Sequence, residues 1–174
     1  MNDDLKQHIR EVPDFPEPGI RFKDITPLLG NGPAFSRAID RIADLCANAG
    51  LRPDVLASPE ARGFIFGAAL ACRLGIGFVP IRKPGKLPYE SVSLEYALEY
   101  GTDRVEMHVD AVEKGQSVLL VDDLLATGGT VKACAKLIEQ QGGRIEACVF
   151  FVELTFLPGR KSLGGYPVHS LIDY

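Results

Sequence analysis

The stretch SVLLVDDLLATGGT, residues 117–130, joins an apolar run, two adjacent carboxylates and a glycine-rich turn. SVLLV is too apolar for a strand with one solvent-facing side, so it predicts a strand in the middle of a covered parallel sheet. After the turn, apolar residues recur at helical spacing from Val131 to Ile138 and predict an amphipathic helix. A buried strand that leads into a helix is typical of an α/β fold.

The same alternation of strand and helix extends to both sides of this stretch. Strands are predicted for DVLAS (54–58), GFVPI (77–81) and ACVFFV (147–152), and helices for residues 33–49 and 65–74. RVEMHV (104–109) alternates strictly and predicts a half-buried strand. Repeated strand–helix units imply right-handed crossovers, so the sequence predicts an α/β protein whose mainly parallel sheet has helices on both faces.

Residues 82–103 form a long polar segment with two prolines and no clear apolar stripe. An irregular segment of this length is unusual in a compact domain and predicts a functional lid. Such a lid would keep water away from a reactive intermediate.

Three charged residues mark the expected ligand-binding edge of the sheet. Glu60, Arg82 and Asp122 all fall at the carboxyl ends of predicted strands. Ligands of open parallel sheets bind outside these ends, so we expect the active site there.

The turn ATGGT (126–130) lies where free backbone N–H groups and a helix dipole favour an anion. Gly128 and Gly129 let the backbone approach phosphate oxygens closely. Asp122 and Asp123 only accept hydrogen bonds while ionised, so they favour hydroxyl groups over phosphate. Together these features predict a sugar phosphate, whose ring carbon could turn cationic beside the carboxylates. The alternative interpretation is an acid pair that caps a helix beside an ordinary tight turn.

Composition narrows the classes of function. The chain has 174 residues, 46% hydrophobic and 24% charged, which predicts one globular domain over residues 1–174. A net charge of −4 argues against a nucleic-acid partner. Without a long apolar run or an apolar leader we expect no membrane and a cytoplasmic location. The scattered cysteines and histidines lack metal-ligand spacing, so we expect reduced thiols and no structural zinc.

VLLVDDLLATGGT (118–130) resembles the phosphoribosyl-pyrophosphate binding motif of the type I phosphoribosyltransferases. The resemblance extends, in the family's order, to PDFPEPGIRFKDITPLL (13–29), ARGFIFG (61–67), IRKPGKLP (81–88), LEYG (98–101) and FVELTFLPGR (151–160). These segments are similar to those of the family members that act on adenine. The implied fold is a twisted, mainly parallel sheet flanked by helices, with a small hood at about 11–30 and 153–174 and a long flexible catalytic loop at about 82–103.

The reaction that this resemblance implies is one of purine salvage. Phosphoribosyl pyrophosphate and adenine give AMP and pyrophosphate, with Mg²⁺ carried by the pyrophosphate and no certain protein ligand to the metal. The 5-phosphate is assigned to Ala126, Thr127, Gly128, Gly129 and Thr130, and the ribose hydroxyls to Asp122 and Asp123. The pyrophosphate is assigned to Arg62, Arg82, Lys83 and Lys86, with Arg62 and Lys83 in catalytic roles. A homodimer is also implied.

The resemblance places adenine between Phe22 and Leu154, with the backbone of Arg21 and Lys23 reading its polar edge. Stacking on Phe22 is physically sensible, because base–aromatic stacking contributes about 1–3 kcal/mol. For Leu154, simple core packing is an equally open interpretation.

Glu99 is assigned to proton handling on the base, because the family's glutamate immediately precedes Tyr-Gly as Glu99 does. Glu95, in a near-identical triplet, is the reserve candidate. Two other functions stay open: a phosphoribosyltransferase for hypoxanthine, guanine or xanthine, and a non-catalytic regulator that senses phosphoribosyl pyrophosphate.

Overall fold

The computed structural model of the protein describes residues 3–97 and 101–174. The helices are α1 (Asp3–Lys6), α2 (Thr26–Leu29), α3 (Gly32–Asn48), α4 (Arg62–Leu74), α5 (Gly129–Gln140) and α6 (Gly159–Ser162). The strands are β1 (Arg10–Pro13), β2 (Arg21–Asp24), β3 (Val55–Pro59), β4 (Gly77–Ile81), β5 (Ser91–Ala97), β6 (Thr102–His108), β7 (Ser117–Leu125), β8 (Arg144–Glu153) and β9 (Val168–Asp173). Each strand and helix predicted from periodicity is present, with ends shifted by a few residues.

The centre of the fold is a five-stranded sheet in the order β4-β3-β7-β8-β9, with every neighbouring pair parallel. Leu119 and Val121 of β7 belong to a first core cluster that includes residues of α3 and α4. Val118 and Leu120 belong to a second core cluster that includes residues of α5. Burial on both faces explains why this strand is apolar throughout its first half. The predicted fold class, a mainly parallel sheet flanked by helices, is confirmed.

Strand β7 ends at Leu125 rather than at Val121. Its ladder with β8 continues through Asp122, aligned with Phe150, to Leu125, aligned with Glu153. The two adjacent carboxylates therefore lie inside the last part of the strand, where the pairing with β8 fixes their backbone.

The predicted irregular lid at 82–103 differs from the structure. Strands β5 and β6 pair antiparallel over their whole length and form a hairpin outside the main sheet. Val92, Leu94 and Tyr96 alternate along β5 and pack against the second core cluster. The positions between them are exposed and carry serine or glutamate, so the segment looks polar overall although its period of two indicates a strand.

The two segments assigned to the hood lie in different sheets. Strands β1 and β2 form a separate antiparallel pair, in which Arg10 aligns with Asp24. At the C-terminal end, however, β9 pairs parallel with β8 as the edge strand of the main sheet. Ile172 of β9 is buried in the first core cluster, which accounts for its place in the sheet.

All four cysteines are free thiols, of which Cys72 is exposed and the other three are buried. Among the described residues, each helix is too short or too polar to cross a membrane.

A substitution at Phe66 tests the packing of the first core cluster. Its ring is fully buried and stacks on Phe151 with centroids 4.9 Å apart. We expect Phe66→Ala to lower the free energy of unfolding by about 3–5 kcal/mol, because a large buried ring leaves a cavity. Ile65→Ala, an exposed neighbour on α4, should change it by less than about 0.5 kcal/mol. Urea denaturation of both variants measures the difference, and equal losses would contradict this description of the core.

Candidate functional site

A cleft of about 360 Å³ opens at the carboxyl edge of the main sheet. It is lined by residues from three separate parts of the chain: Pro59, Glu60, Ala61, Arg62, Lys83, Asp122, Asp123 and Thr130. Glu60 follows β3, and Lys83 lies two residues after β4. The parallel sheet therefore brings together the strand ends that the sequence marked as the ligand-binding edge.

The two adjacent carboxylates of β7 form the acidic wall of this cleft. Asp123 is 5% exposed, and its carboxylate lies 2.9 Å from Nε of Arg62. Its backbone N–H donates to Oδ1 of Asp122 at 2.8 Å. Burial, followed by the charge of Asp123, raises the pKa of Asp122 well above its usual range. Burial also raises the pKa of Asp123, although Arg62 opposes that change.

Helix α4 closes on the acid pair at its first turn. A Cβ atom on Gly63 would lie 2.8 Å from Oδ1 of Asp122, so only glycine allows this approach. The peptide bond between Glu60 and Ala61, just before α4, is cis.

The turn from Ala126 to Thr130 has the properties of an anion cradle. Gly128 caps α5 with φ 81°, a conformation that favours glycine. Within the described part of the chain, the backbone N–H groups of residues 127–130 donate to no protein acceptor. A Cβ on Gly129 would meet no atom within 4 Å, so the backbone there is open to a ligand. Unpaired N–H groups at the start of a helix bind phosphate well.

The basic segment after β4, which carries Arg82, Lys83 and Lys86, contacts one acidic residue. Glu60 accepts from the backbone N–H of Lys83 at 2.5 Å and from Arg82 at 3.1 Å. Nζ of Lys86 lies 3.6 Å from the same carboxylate. Burial alone would raise the pKa of Glu60, but the hydrogen bonds from Lys83 and Arg82 keep it below its usual value. Glu60 therefore stays ionised and fixes the direction of this segment.

A second network joins the basic segment to the anion cradle. The ammonium group of Lys83 forms an ion pair with Asp103, which also accepts from the Tyr96 hydroxyl at 3.0 Å. That hydroxyl lies 3.1 Å from Oγ1 of Thr130. Burial opposes the charge on Lys83, but its hydrogen bond to Asp103 raises the pKa of the amine above its ordinary value. The β5–β6 hairpin is thereby connected to both the basic segment and the anion cradle.

The residues assigned to a base lie on β2 and at the end of β8. The Phe22 ring lies 5.4 Å from the Arg62 guanidinium carbon, so it sits beside the cation that contacts Asp123. The side chains of Arg21 and Lys23 both pair with Glu11. Leu154 is half-buried and packs against the first core cluster.

Glu99 lies outside the described residues. Glu95, the reserve candidate, is exposed, and its carboxylate is 3.6 Å from Arg104.

Three residues that contact the predicted site residues were not assigned a role from the sequence. Glu60 was recognised only by its position at a strand end. Tyr96 and Asp103 were missed because they fall in the segment that was interpreted as irregular. The alternation of Val92, Leu94 and Tyr96 is the signal that could have placed them in a hairpin.

The donor set of the cleft fits Mg²⁺ that arrives with a phosphate ligand. The carboxylates of Glu60, Asp122 and Asp123 line the cleft. Within the described residues, no group of three or more His, Cys, Asp or Glu side chains could enclose a metal ion. Mg²⁺ is commonly bound by one or two carboxylates, with substrate phosphates and water as its other ligands.

The chain is similar to known proteins over almost its whole length. Residues 28–161 match the phosphoribosyl transferase domain family. The adenine phosphoribosyltransferase of Caldanaerobacter subterraneus subsp. tengcongensis is 60% identical over 99% of this chain and 98% of its own. The crystal structure of the adenine phosphoribosyltransferase of Thermoanaerobacter pseudethanolicus matches with a TM-score of 0.96 and 57% sequence identity. The match covers 100% of both chains. The Saccharomyces cerevisiae structure, with D-2,5-dideoxy-2,5-imino-altritol 1,6-bisphosphate and adenine, has a TM-score of 0.91 at 40% identity over 95% of each chain.

The raised pKa of Asp122 predicts that this carboxylate destabilises the fold at neutral pH. A folded-state pKa above the unfolded value means that the native protein gains stability as the pH falls through it. We therefore expect Asp122→Asn to be more stable than the wild type at pH 7, with the difference shrinking toward pH 4. Urea denaturation across this pH range measures it.

Asp103→Asn is the matched control, for which we expect a change in stability of the opposite sign. Burial would raise the pKa of Asp103, but its hydrogen bond with Lys83 keeps it below the ordinary value. That carboxylate contributes stability above pH 4 and loses it as the pH falls. Asp103→Asn should thus be less stable at pH 7. A loss of stability in both variants would show that Asp122 carries no such electrostatic penalty.

Proposed function

Since the chain belongs to the phosphoribosyl transferase family, and within it to the adenine phosphoribosyltransferases, we propose that it transfers the 5-phosphoribosyl group of phosphoribosyl pyrophosphate to N9 of adenine. The products are AMP and pyrophosphate, and the reaction serves purine salvage. The observation that carries this proposal is the cradle of free N–H groups at residues 127–130 beside the acid pair of β7. A sugar phosphate offers the phosphate and the diol that these two elements select.

The acid pair supports the sugar step. In this reaction the bond from C1′ to the pyrophosphate oxygen breaks, and its electron pair leaves with the pyrophosphate. N9 of adenine forms the new bond at C1′ and loses its proton. Positive charge develops on the sugar ring between these events, and the ionised carboxylates of Asp122 and Asp123 stabilise it. The same oxygens accept hydrogen bonds from the ribose hydroxyls.

The cations of the cleft receive the leaving pyrophosphate. Arg62 and Lys83 now pair with Asp123 and Asp103, so binding exchanges a carboxylate for a phosphate oxygen on each of them. Arg82 and Lys86, which Glu60 orients, add charge at the same end. Guanidinium and ammonium groups form strong charge-assisted bonds to phosphate, so this exchange stabilises the departing anion.

Mg²⁺ is the proposed cofactor. When bound to the pyrophosphate, it neutralises part of the charge that develops on the leaving group. The acid pair supports an ion held mainly by ligand oxygens.

Adenine is proposed to bind against Phe22, close to Arg62. The side chains of Arg21 and Lys23 form ion pairs with Glu11. Because the side chains are occupied in this way, the backbone at these two positions is proposed to recognise the polar edge of the base. Adenine carries an amino donor and an N1 acceptor, whereas hypoxanthine reverses both. A fixed carbonyl and N–H pair would therefore reject hypoxanthine, because it would leave buried polar groups unpaired. Leu154 is the proposed second face of the base site.

A homodimer in the cytoplasm completes the proposal. Tyr89, directly after the basic segment, is an aromatic side chain that is 58% exposed, as expected of a surface that a second subunit covers. Free thiols at all four cysteines are usual in a reducing compartment. Light scattering that gave a monomer mass under assay conditions would contradict the dimer.

The decisive experiment offers the purified protein adenine, hypoxanthine, guanine or xanthine, each with phosphoribosyl pyrophosphate and Mg²⁺. We expect AMP from adenine, and little product from the other three bases. Formation of IMP, GMP or XMP at a comparable kcat/KM would contradict the adenine assignment. Binding of phosphoribosyl pyrophosphate without any product would favour a sensor, and omission of Mg²⁺ tests the cofactor.

Two glutamates of the hairpin region test proton handling. We expect Glu99→Gln to lower kcat by about 10²–10⁴-fold, because a positioned acid–base group contributes on this scale. Glu95→Gln is the matched control, since Glu95 is exposed and pairs only with Arg104 among the described residues. Its kcat should stay near the wild-type value. An impaired Glu95→Gln beside an active Glu99→Gln would move the role to Glu95.

A further inference from the structure

Helix α6 packs directly against the anion cradle, although none of its residues was assigned to the site. We propose that α6 sets the conformation of the cradle and that Ser162 is a positioning residue for the 5-phosphate. This inference rests on the proposed function, because it concerns the same phosphate. It adds a residue that does not touch the ligand and acts through the backbone of Thr127.

The contacts between α6 and the cradle are close at two successive carbonyl groups. Oγ of Ser162 lies 2.6 Å from the carbonyl oxygen of Thr127 and 2.8 Å from that of Gly159, three residues back in its own helix. The hydroxyl has one proton, and its shorter contact is the one to Thr127. A Cβ atom on Gly159 would lie 2.2 Å from the carbonyl oxygen of Ala126. One on Gly128 would lie 2.3 Å from Oγ of Ser162. Glycines on both sides therefore permit a contact that no other residue would allow without movement.

The geometry of the peptide bond shows in which direction the N–H groups of the cradle point. In a trans peptide the C=O and the following N–H are coplanar and point in opposite directions. The carbonyls of Ala126 and Thr127 face α6, so the N–H groups of Thr127 and Gly128 point away from it. Successive N–H groups on one side form a concave anion-binding nest. The Ser162 hydroxyl thus holds the peptide plane that presents the N–H of Gly128.

The helix is itself fixed to the main sheet. Nε of Arg160 donates to Oε1 of Glu153 at 2.8 Å, and its second nitrogen bonds the other carboxylate oxygen. Glu153 is 4% exposed and also accepts from Ser170 of β9 at 2.6 Å. Leu163, directly after α6, is fully buried in the second core cluster. Although α6 has a single turn, these contacts leave it little freedom relative to β8.

Ser162→Ala removes the hydroxyl and tests this inference. A hydrogen bond contributes about 0.5–1.5 kcal/mol, so we expect KM for phosphoribosyl pyrophosphate and Kd for ribose 5-phosphate to rise about twofold to tenfold. The KM for adenine and the kcat should stay within about twofold, since neither depends on the Thr127 carbonyl. Ser36→Ala, at an exposed serine of α3, is the matched control and should change none of these values.

Gly159→Ala is the second variant, because its new methyl group would push on the carbonyl of Ala126 and on the buried side chain of Leu125. We expect a larger rise in the same two constants, with thermal unfolding used to confirm that the variant is folded. Unchanged constants in Ser162→Ala would overturn the role of Ser162. An equal rise in the KM for adenine would do the same, since it would indicate general loosening of the site.

Direct calorimetry with ribose 5-phosphate separates this inference from the proposed function. If the wild type makes no AMP but binds ribose 5-phosphate more tightly than Ser162→Ala, the proposed function fails and the positioning role stands. If the wild type makes AMP and both proteins bind ribose 5-phosphate equally, the positioning role fails and the proposed function stands.

Discussion

The parallel pairing of β3 with β4 and β7 is the constraint on which the site depends. Val55 of β3 aligns with Gly77 on one side and with Val118 on the other. Because parallel strands end at the same edge, segments far apart in the sequence deliver their charges to one cleft. A slip of one residue would turn each buried side chain to the opposite face, so the two apolar cores hold the register that the site requires.

Charge compensation is the second feature that shapes the site. Arg62 pairs with Asp123, Lys83 with Asp103, and Glu60 with the basic segment. In each of these pairs the cation is partly exposed, so solvent screens part of the interaction. In the proposed reaction, the pyrophosphate would replace the carboxylates as the partner of Arg62 and Lys83, which would keep both cations compensated. The Tyr96 hydroxyl donates to Asp103, the partner of Lys83, and also lies 3.1 Å from Oγ1 of Thr130, so the hairpin contacts both the basic segment and the anion cradle.

The acid pair illustrates a conflict between stability and function. Burial raises the pKa of both Asp122 and Asp123, so the fold carries two carboxylates in a place that disfavours their charge. Arg62 relieves part of this cost for Asp123. In the proposed reaction, the ionised oxygens of the pair would accept hydrogen bonds from the ribose hydroxyls and stabilise positive charge on the sugar ring.

The sequence by itself determined the α/β class, the strands β3, β4, β7 and β8, and the closeness of the acid pair to the glycine turn. These features are local: side-chain period reports how many faces of an element are buried, and adjacent residues stay adjacent in any fold. Only the tertiary structure decided that β5 pairs with β6, that β9 joins the main sheet, and that Asp103 and Ser162 contact the site. The period of two in β5 indicates a strand, but the partner and register of that strand and the docking of α6 are set by long-range packing.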